Sequence, residues 1–136
     1  MSEINYINPE NIAAPAGPYQ HASTVDGWLH LAGQIPANPD KPDEPLPEGI
    51  EAQTQLVFKN IARILHEAGY TFSDIVQVQN YLRNLERDMA GFNLVYEQQF
   101  PTDKLPPRTT IGVSALAKGA LVEIDLVAYR RYRTAR

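Results

Sequence analysis

The chain contains no cysteine. Disulfides, thiolate metal sites and cysteine nucleophiles are therefore excluded. Histidine is scarce too: His21, His30 and His66 are the only three. None stands in an H-E-x-x-H pattern, so no metal site is expected. No run approaches the roughly 18 consecutive apolar residues of a membrane-spanning helix. Met1-Ser2-Glu3-Ile4-Asn5 lacks a basic stretch followed by an apolar run, so no secretory signal is expected, and a cytoplasmic setting fits the missing cysteines. Positive charge is also short: 12 Lys and Arg against 16 Asp and Glu leave a net charge of −4. Such a surface repels polyanions on average, which makes nucleic acid an unexpected partner. The one visible basic run is Arg130-Arg131-Tyr132-Arg133-Thr134-Ala135-Arg136. It reads as a solvated end to the last strand rather than a phosphate-binding arm. G-x-G-x-x-G, G-x-x-x-x-G-K and G-x-S-x-G are all absent, so the usual dinucleotide, phosphate-loop and serine-hydrolase signatures are missing.

What is present describes an ordinary globular domain. Its 136 residues, 43% hydrophobic and 21% charged, are enough for one core and one domain, 1–136. Residues 4–7 suit a short edge strand. Two strands are expected at 20–25 and 28–35, joined by Asp26-Gly27, a dipeptide that favours a two-residue hairpin turn. That turn pairs Val25 with Trp28, Ser23 with His30 and His21 with Ala32, with all six on one face and Leu29 and Leu31 on the other. Five prolines in 36–49 predict a surface loop with no core of its own. Ile50, Thr54, Val57, Ile61, Ile64, Leu65 and Ala68 form one stripe at helical spacing, so a helix is expected over 49–68, stopped by Gly69. A strand at 75–82, a second helix at 86–100 ended by Pro101, and strands at 108–115 and 121–131 complete the order β-β-α-β-α-β-β. Each helix has one apolar stripe. Both are therefore expected on one face of a mostly antiparallel sheet, giving an α+β fold. The opposite face carries Trp28, Leu121 and Val127, and burial against other subunits would explain it.

Two charged residues stand in costly positions. Arg108 follows Pro106-Pro107 at the start of a strand. Glu123 interrupts the apolar run Leu121-Val122-Glu123-Ile124. Arg108 suits either an ion pair or bidentate capture of a substrate carboxylate. Glu123 suits either a paired strand-face acid or a group that orients water and moves protons. Asp125 shares its strand face, so position alone does not separate the two acids. Tyr19, in the stiff connector Ala14-Pro15-Ala16-Gly17-Pro18-Tyr19, and Asn93 suit either plain hydrogen bonding or a binding cleft. His66, near a helix end, suits solvent. His21 and His30 are expected to share a sheet face.

Gly17-Pro18-Tyr19, Ala32-Gly33-Gln34-Ile35-Pro36, Gln53-Thr54, Asn60-Ile61, Ala68-Gly69, Asn93-x-x-Tyr96-Glu97, Pro107-Arg108 and Val122-Glu123-Ile124 occur in this order. From about residue 14 to 130 the chain resembles the RidA/YjgF family of reactive-intermediate deaminases. The resemblance implies a chorismate-mutase-like ββαβαββ fold in a homotrimer, its sheets forming a barrel with active sites between subunits. It implies hydrolysis of small 2-imino acids or enamines, such as 2-iminobutanoate and 2-iminopropanoate, to 2-oxo acids and ammonia, with no cofactor and no metal. By that resemblance Arg108 binds the substrate carboxylate, Glu123 positions water, Gly33 and Thr110 offer backbone contacts, and Tyr19 and Asn93 line the cleft. The sequence departs from the family pattern at Ala32, often serine, at Thr110, often cysteine, and in the length of loop 36–49. The alternatives are a pathway-specific enamine deaminase of aminomuconate-like type, a non-catalytic ligand-binding or regulatory trimer, and an endoribonuclease.

Overall fold

The hairpin at Asp26-Gly27 forms as its residues dictate. In the computed structural model, which describes residues 3–131, Asp26 (φ 51°) and Gly27 (φ 87°) both adopt positive φ. This is the two-residue turn whose twist matches its flanking strands. It joins β2 (Ala22–Val25) to β3 (Trp28–Gln34) with Val25 opposite Trp28 and Ser23 opposite His30. The remaining elements are β1 (Asn5–Ile7), α1 (Ile50–Ala68), β4 (Ile75–Leu82), α2 (Leu85–Glu97), β5 (Arg108–Gly112) and β6 (Val122–Tyr129). They build one six-stranded sheet in the order β1-β2-β3-β6-β4-β5. Every pair is antiparallel except β4 with β5.

Both helices cover one face of this sheet. On β6 the residues Val122, Ile124, Leu126 and Ala128 are buried, and their alternates Glu123, Asp125 and Val127 are only half-buried. The buried set joins Leu29, Leu31, Val78 and Leu82 against Phe58, Ile61, Ile64 and Leu65 of α1 and Phe92 and Tyr96 of α2. Each such large side chain taken out of water contributes about 1.5–3 kcal/mol. An aromatic cluster fills the space between the helices, with Phe58 5.7 Å from Tyr96, 5.9 Å from Phe72 and 6.1 Å from Phe100. Gly69, φ 85°, ends α1 in the left-handed conformation, as its position predicts. Among the described residues no helix is long and apolar enough to cross a membrane.

Several boundaries differ from expectation for local reasons. Helix α2 stops at Glu97 rather than residue 100, because the residues before Pro101 cannot all keep helical ψ. Phe100 nevertheless stays in the aromatic cluster, 5.0 Å from Tyr96. Strand β5 stops at Gly112 because its partner β4 ends at Leu82. Strand β6 is likewise confined to Val122–Tyr129, and β3 ends before Ile35-Pro36. His21 does not share the exposed face with His30. It precedes β2, and its backbone N–H donates to Asn8 Oδ1. Its buried ring lies 2.7 Å from the Ala13 carbonyl and 3.1 Å from Gln34 Nε2. The backbone pairing with Ala32 is kept through an Ala32 N–H to His21 carbonyl bond of 2.8 Å. The first residue of the basic tail is anchored rather than merely solvated, since Arg130 pairs with Asp74 at 3.4 Å. Residues 132–136 lie outside the described residues.

Helix α1 also orders the proline-rich loop. Buried Gln53 donates to the Pro47 carbonyl (2.8 Å) and accepts from the Leu121 N–H (2.8 Å), and Asn60 donates to the Ala37 carbonyl (2.8 Å). The aromatic cluster gives the first prediction. Phe58→Ala should cost about 3–5 kcal/mol, read as a lower denaturant midpoint at fixed protein concentration. A loss under about 1 kcal/mol would mean that the cluster collapses around the gap and is not the keystone of the helix layer.

Candidate active site

Three of the expected site residues meet at one cavity. Tyr19, Gly33 and Glu123 line a hollow of about 300 Å³ together with Ala16, Ala32 and Ile35. Two local features put them there. Between Leu31 and Gln34 the register of β3 against β6 shifts, so three residues of β3 span the length that two of β6 span. This bulge at Ala32-Gly33 re-aims the end of β3, a common use of the extra residue. Alternation along β6 then turns Glu123 to the same face. A Cβ built on Gly33 would run into the Glu123 carboxylate oxygen Oε2, with Cδ only 2.8 Å away. Only glycine lets the carboxylate lie this close over the backbone.

The electrostatics of that face are unusual. Burial pushes the Glu123 pKa above the usual carboxylate value, and the charge of Asp125 raises it further. Asp125 is also raised by burial, against the opposing effect of a hydrogen bond from Tyr81. The Tyr81 hydroxyl lies 2.8 Å from Asp125 Oδ2 and 2.9 Å from Gln79 Oε1. Asp125 does not line the cavity. Of the two acids that position alone leaves equivalent, Glu123 is the one at the hollow.

The other expected residues lie across the sheet. In the parallel β4–β5 pair, Val78 stands beside Arg108 and Asn80 beside Thr110. Val78 and Asn80 are buried on the helix side, so Arg108 and Thr110 project to that side as well. The Arg108 guanidinium donates to Asn93 Oδ1 at 2.7 Å. Its carbon lies 4.6 Å from the Tyr96 ring centroid and 5.7 Å from that of Phe92. Among the described residues no carboxylate pairs with it. Asn93 occupies one of five N–H donors, so most of the fork is left for another molecule. The Tyr96 hydroxyl is buried and, among the described residues, lacks a well-aligned hydrogen-bond partner; burial raises its pKa more than the charge and polar contact of the Arg108 guanidinium beside it lower it.

Thr110 accepts a hydrogen bond from Asn80 Nδ2 at 3.1 Å. The Pro107 carbonyl and Val113 N–H bond to β4. By strand alternation, the N–H and C=O groups of Arg108, Thr110 and Gly112 therefore point to the free edge of the sheet. The rings of Tyr96 and Phe92 beneath Arg108 are not legible as a site feature in the sequence, because their helical spacing marks them as core. Tyr81 escapes sequence reasoning because its place beside Glu123 depends on the β4–β6 pairing.

The geometry thus defines a six-stranded α+β domain with two separate part-sites. One is an acidic hollow on the open face, and the other an arginine at the β5 edge. A family model described as Endoribonuclease L-PSP matches residues 10–130. A RutC-family protein of Pyrococcus horikoshii is 40% identical over 96% of this chain and 99% of its own. The crystal structure of RidA from an Antarctic Psychrobacter superposes with a TM-score of 0.87 at 32% identity, covering 93% of this chain and 99% of that one. Escherichia coli TdcF, solved with bound serine, superposes with a TM-score of 0.85 at 27% identity over 93% and 98%. The chain belongs to the RidA/YjgF family and has its chorismate-mutase-like α+β fold.

The Gly33 contact yields a second prediction. Gly33→Ala should leave the fold intact, because the clashing atoms are the free end of a side chain, and should swing the Glu123 carboxylate out of the hollow. A crystal structure and a thermal melt of the variant check this. An unmoved Glu123 beside a methyl seated at position 33 would mean that the close approach is not the reason for glycine.

Proposed function

We propose that the protein hydrolyses small 2-imino acids, or their enamine tautomers, to 2-oxo acids and ammonia, at sites formed where two chains meet in a trimer. The observation that carries this reading is Arg108. Its guanidinium is half-buried, stacked on Tyr96 and oriented by Asn93, with no carboxylate partner among the described residues. Desolvating a fixed charge without a counter-ion is unfavourable unless something else supplies the counter-ion. A substrate carboxylate suits the planar fork. That TdcF is a relative solved with bound serine, a small carboxylate-bearing molecule, supports the same choice of ligand.

The rest of the chemistry needs a water and a place for its proton. An imine carbon is already electrophilic. Water adds to it, forming the carbon–oxygen bond, while Glu123 takes a proton from the water. The C=N π pair moves onto nitrogen, which receives that proton from Glu123; Glu123 then carries the hydroxyl proton of the adduct to the nitrogen as the carbon–nitrogen bond breaks, so ammonia leaves and the 2-oxo acid remains. No cofactor takes part in these steps. Fixing the carboxylate and the water supplies most of what such a reaction requires, although carboxylate binding alone lowers KM without speeding the chemistry.

Arg108 and Glu123 project from opposite faces of one chain's sheet, so one chain does not complete the site. A trimer supplies the missing half by setting the β5 edge of one chain, with Arg108, Thr110 and Asn93, against the Tyr19, Gly33 and Glu123 hollow of the next. It also covers the open face, where Trp28 is 42% and Tyr129 39% exposed. The net charge of −4 favours this reading over cleavage of RNA. A pathway-specific enamine of aminomuconate type would use the same two halves. The reaction suits the cytoplasm, where imines are released by pyridoxal-phosphate enzymes.

A threonine dehydratase generating 2-iminobutanoate in situ provides the assay, with 2-oxobutanoate formation followed in time. Wild type should accelerate it. Arg108→Ala should lose about a hundredfold or more in kcat/KM, and Arg108→Lys, which keeps charge but not the fork, should lose less. Undiminished activity in Arg108→Ala would remove the carboxylate-binding role. Mixing Arg108→Ala with Glu123→Gln chains before reassembly tests the two-chain site. Random assortment should restore about a quarter of wild-type activity. No recovery in mixed trimers would place both residues in one chain's site.

A further inference from the structure

We infer that Tyr81 and Asp125 are positioning residues for Glu123: the hydrogen-bonded pair holds a second negative charge beside the cavity carboxylate and so sets the pH range in which Glu123 is ionised. The catalytic consequence rests on the deaminase reading, but the coupling itself is a property of the folded chain. The geometry is specific. Glu123 and Asp125 are two residues apart on β6 and share its open face, their Cβ atoms about 7 Å apart. Across the β4–β6 ladder Tyr81 stands opposite Glu123 and Gln79 opposite Asp125. The Tyr81 side chain crosses this ladder diagonally to reach Asp125, at 2.8 Å. It therefore bridges the acid at the hollow and the acid behind it.

The alternatives for Asp125 are restricted by its surroundings. Taking both carboxylates partly out of water, with the Asp125 charge beside Glu123, favours the protonated form of Glu123. A donor fixed on Asp125 favours its ionised form, as the opposing action of Tyr81 on its pKa shows. Tyr81 cannot lose that role in the working range, because burial and then the Asp125 contact push its own pKa up to about 12. Tyr81 thus favours the charged form of Asp125, and that charge in turn makes Glu123 readier to take up a proton. That is the property a group needs if it is to take a proton from water and return it. The other titratable groups nearby are few. Tyr19 lines the hollow, and His30, on the open face of β3, stands opposite Val127, two residues along β6 from Asp125. Lys118 sits in the turn beside Ala117, which also lines the hollow, and its ammonium is 3.3 Å from the Pro42 carbonyl.

The test is a carboxyl 13C NMR titration of glutamate-labelled full-length protein, with the Glu123 signal assigned by Glu123→Gln, alongside the pH profile of kcat/KM. In Asp125→Asn the Glu123 titration should move to lower pH. The acid limb of the profile should move down with it, since activity requires ionised Glu123. Tyr81→Phe, which lets Asp125 take up its proton at higher pH, should move both the same way and serves if Asp125→Asn does not fold. A purely structural role would lower activity at every pH and leave both titrations in place, and that result would overturn the inference. A Glu123 titration that moves while the acid limb stays put would overturn the catalytic part of it. If wild type shows no imine turnover but the Glu123 titration still moves, the coupling stands and the deaminase reading is what fails.

Discussion

The structure depends on the two-residue alternation of a single strand, β6. Its even-numbered residues, Val122, Ile124, Leu126 and Ala128, pack under both helices and are 0–2% exposed. Its odd-numbered residues, Glu123, Asp125 and Val127, face the other way. A slip of one residue would bury two carboxylates in the core and expose four apolar side chains, so the register is strongly specified. β6 also lies between β3, which carries the bulge at the hollow, and β4, which carries the arginine edge strand on its far side. The position of Glu123 over Gly33 and the reach of Tyr81 to Asp125 both follow from that one register.

The same alternation separates the two charged groups that the sequence offers as a pair. Arg108 lies on the helix side at an edge strand, and Glu123 lies on the open side. The two edges of the sheet are treated differently. β1 is only three residues long, a common way of blunting an edge. β5 presents the outward backbone groups of Arg108, Thr110 and Gly112 together with a guanidinium held in place. Stacking on Tyr96 and Phe92 offsets part of the cost of holding that charge still, since a cation over an aromatic face is attracted by it. An edge kept open and charged in this way is suited to meeting another chain.

Much of this is legible in the residues. The Asp26-Gly27 turn, the stripe of α1, the Gly69 stop and the two helices on one face all follow from local chemistry and periodicity. Glu123 and Arg108 stand out because a charge in an apolar run and a charge at a strand start are each expensive. What stays hidden is non-local. Periodicity along β4 says that Asn80 and Tyr81 point to opposite faces, but not that Tyr81 stands across from Glu123. The bulge at Ala32-Gly33 leaves no signal beyond the glycine itself. His21 departs from its expected face because its partners, Asn8, Ala13 and Gln34, come from segments whose approach no local pattern foretells. The separation of Arg108 from Glu123 requires the strand order.

The departures at Ala32 and Thr110 can be weighed in the same terms. Ala32 lies at the bulge and lines the hollow, so a small side chain there leaves room without disturbing Gly33. Thr110 directs its main-chain groups to the free edge whatever its side chain is. Its hydroxyl is turned to the helix side, where it takes the hydrogen bond of Asn80. That bond is a local adaptation. Asn80 is fully buried and its Oδ1 has no partner among the described residues, a deficit worth about 1–3 kcal/mol. Without a hydroxyl at 110 the Asn80 amide nitrogen would be orphaned as well. Threonine at 110 is thus explained by the strand next to it, and the backbone function expected at that position is independent of the exchange.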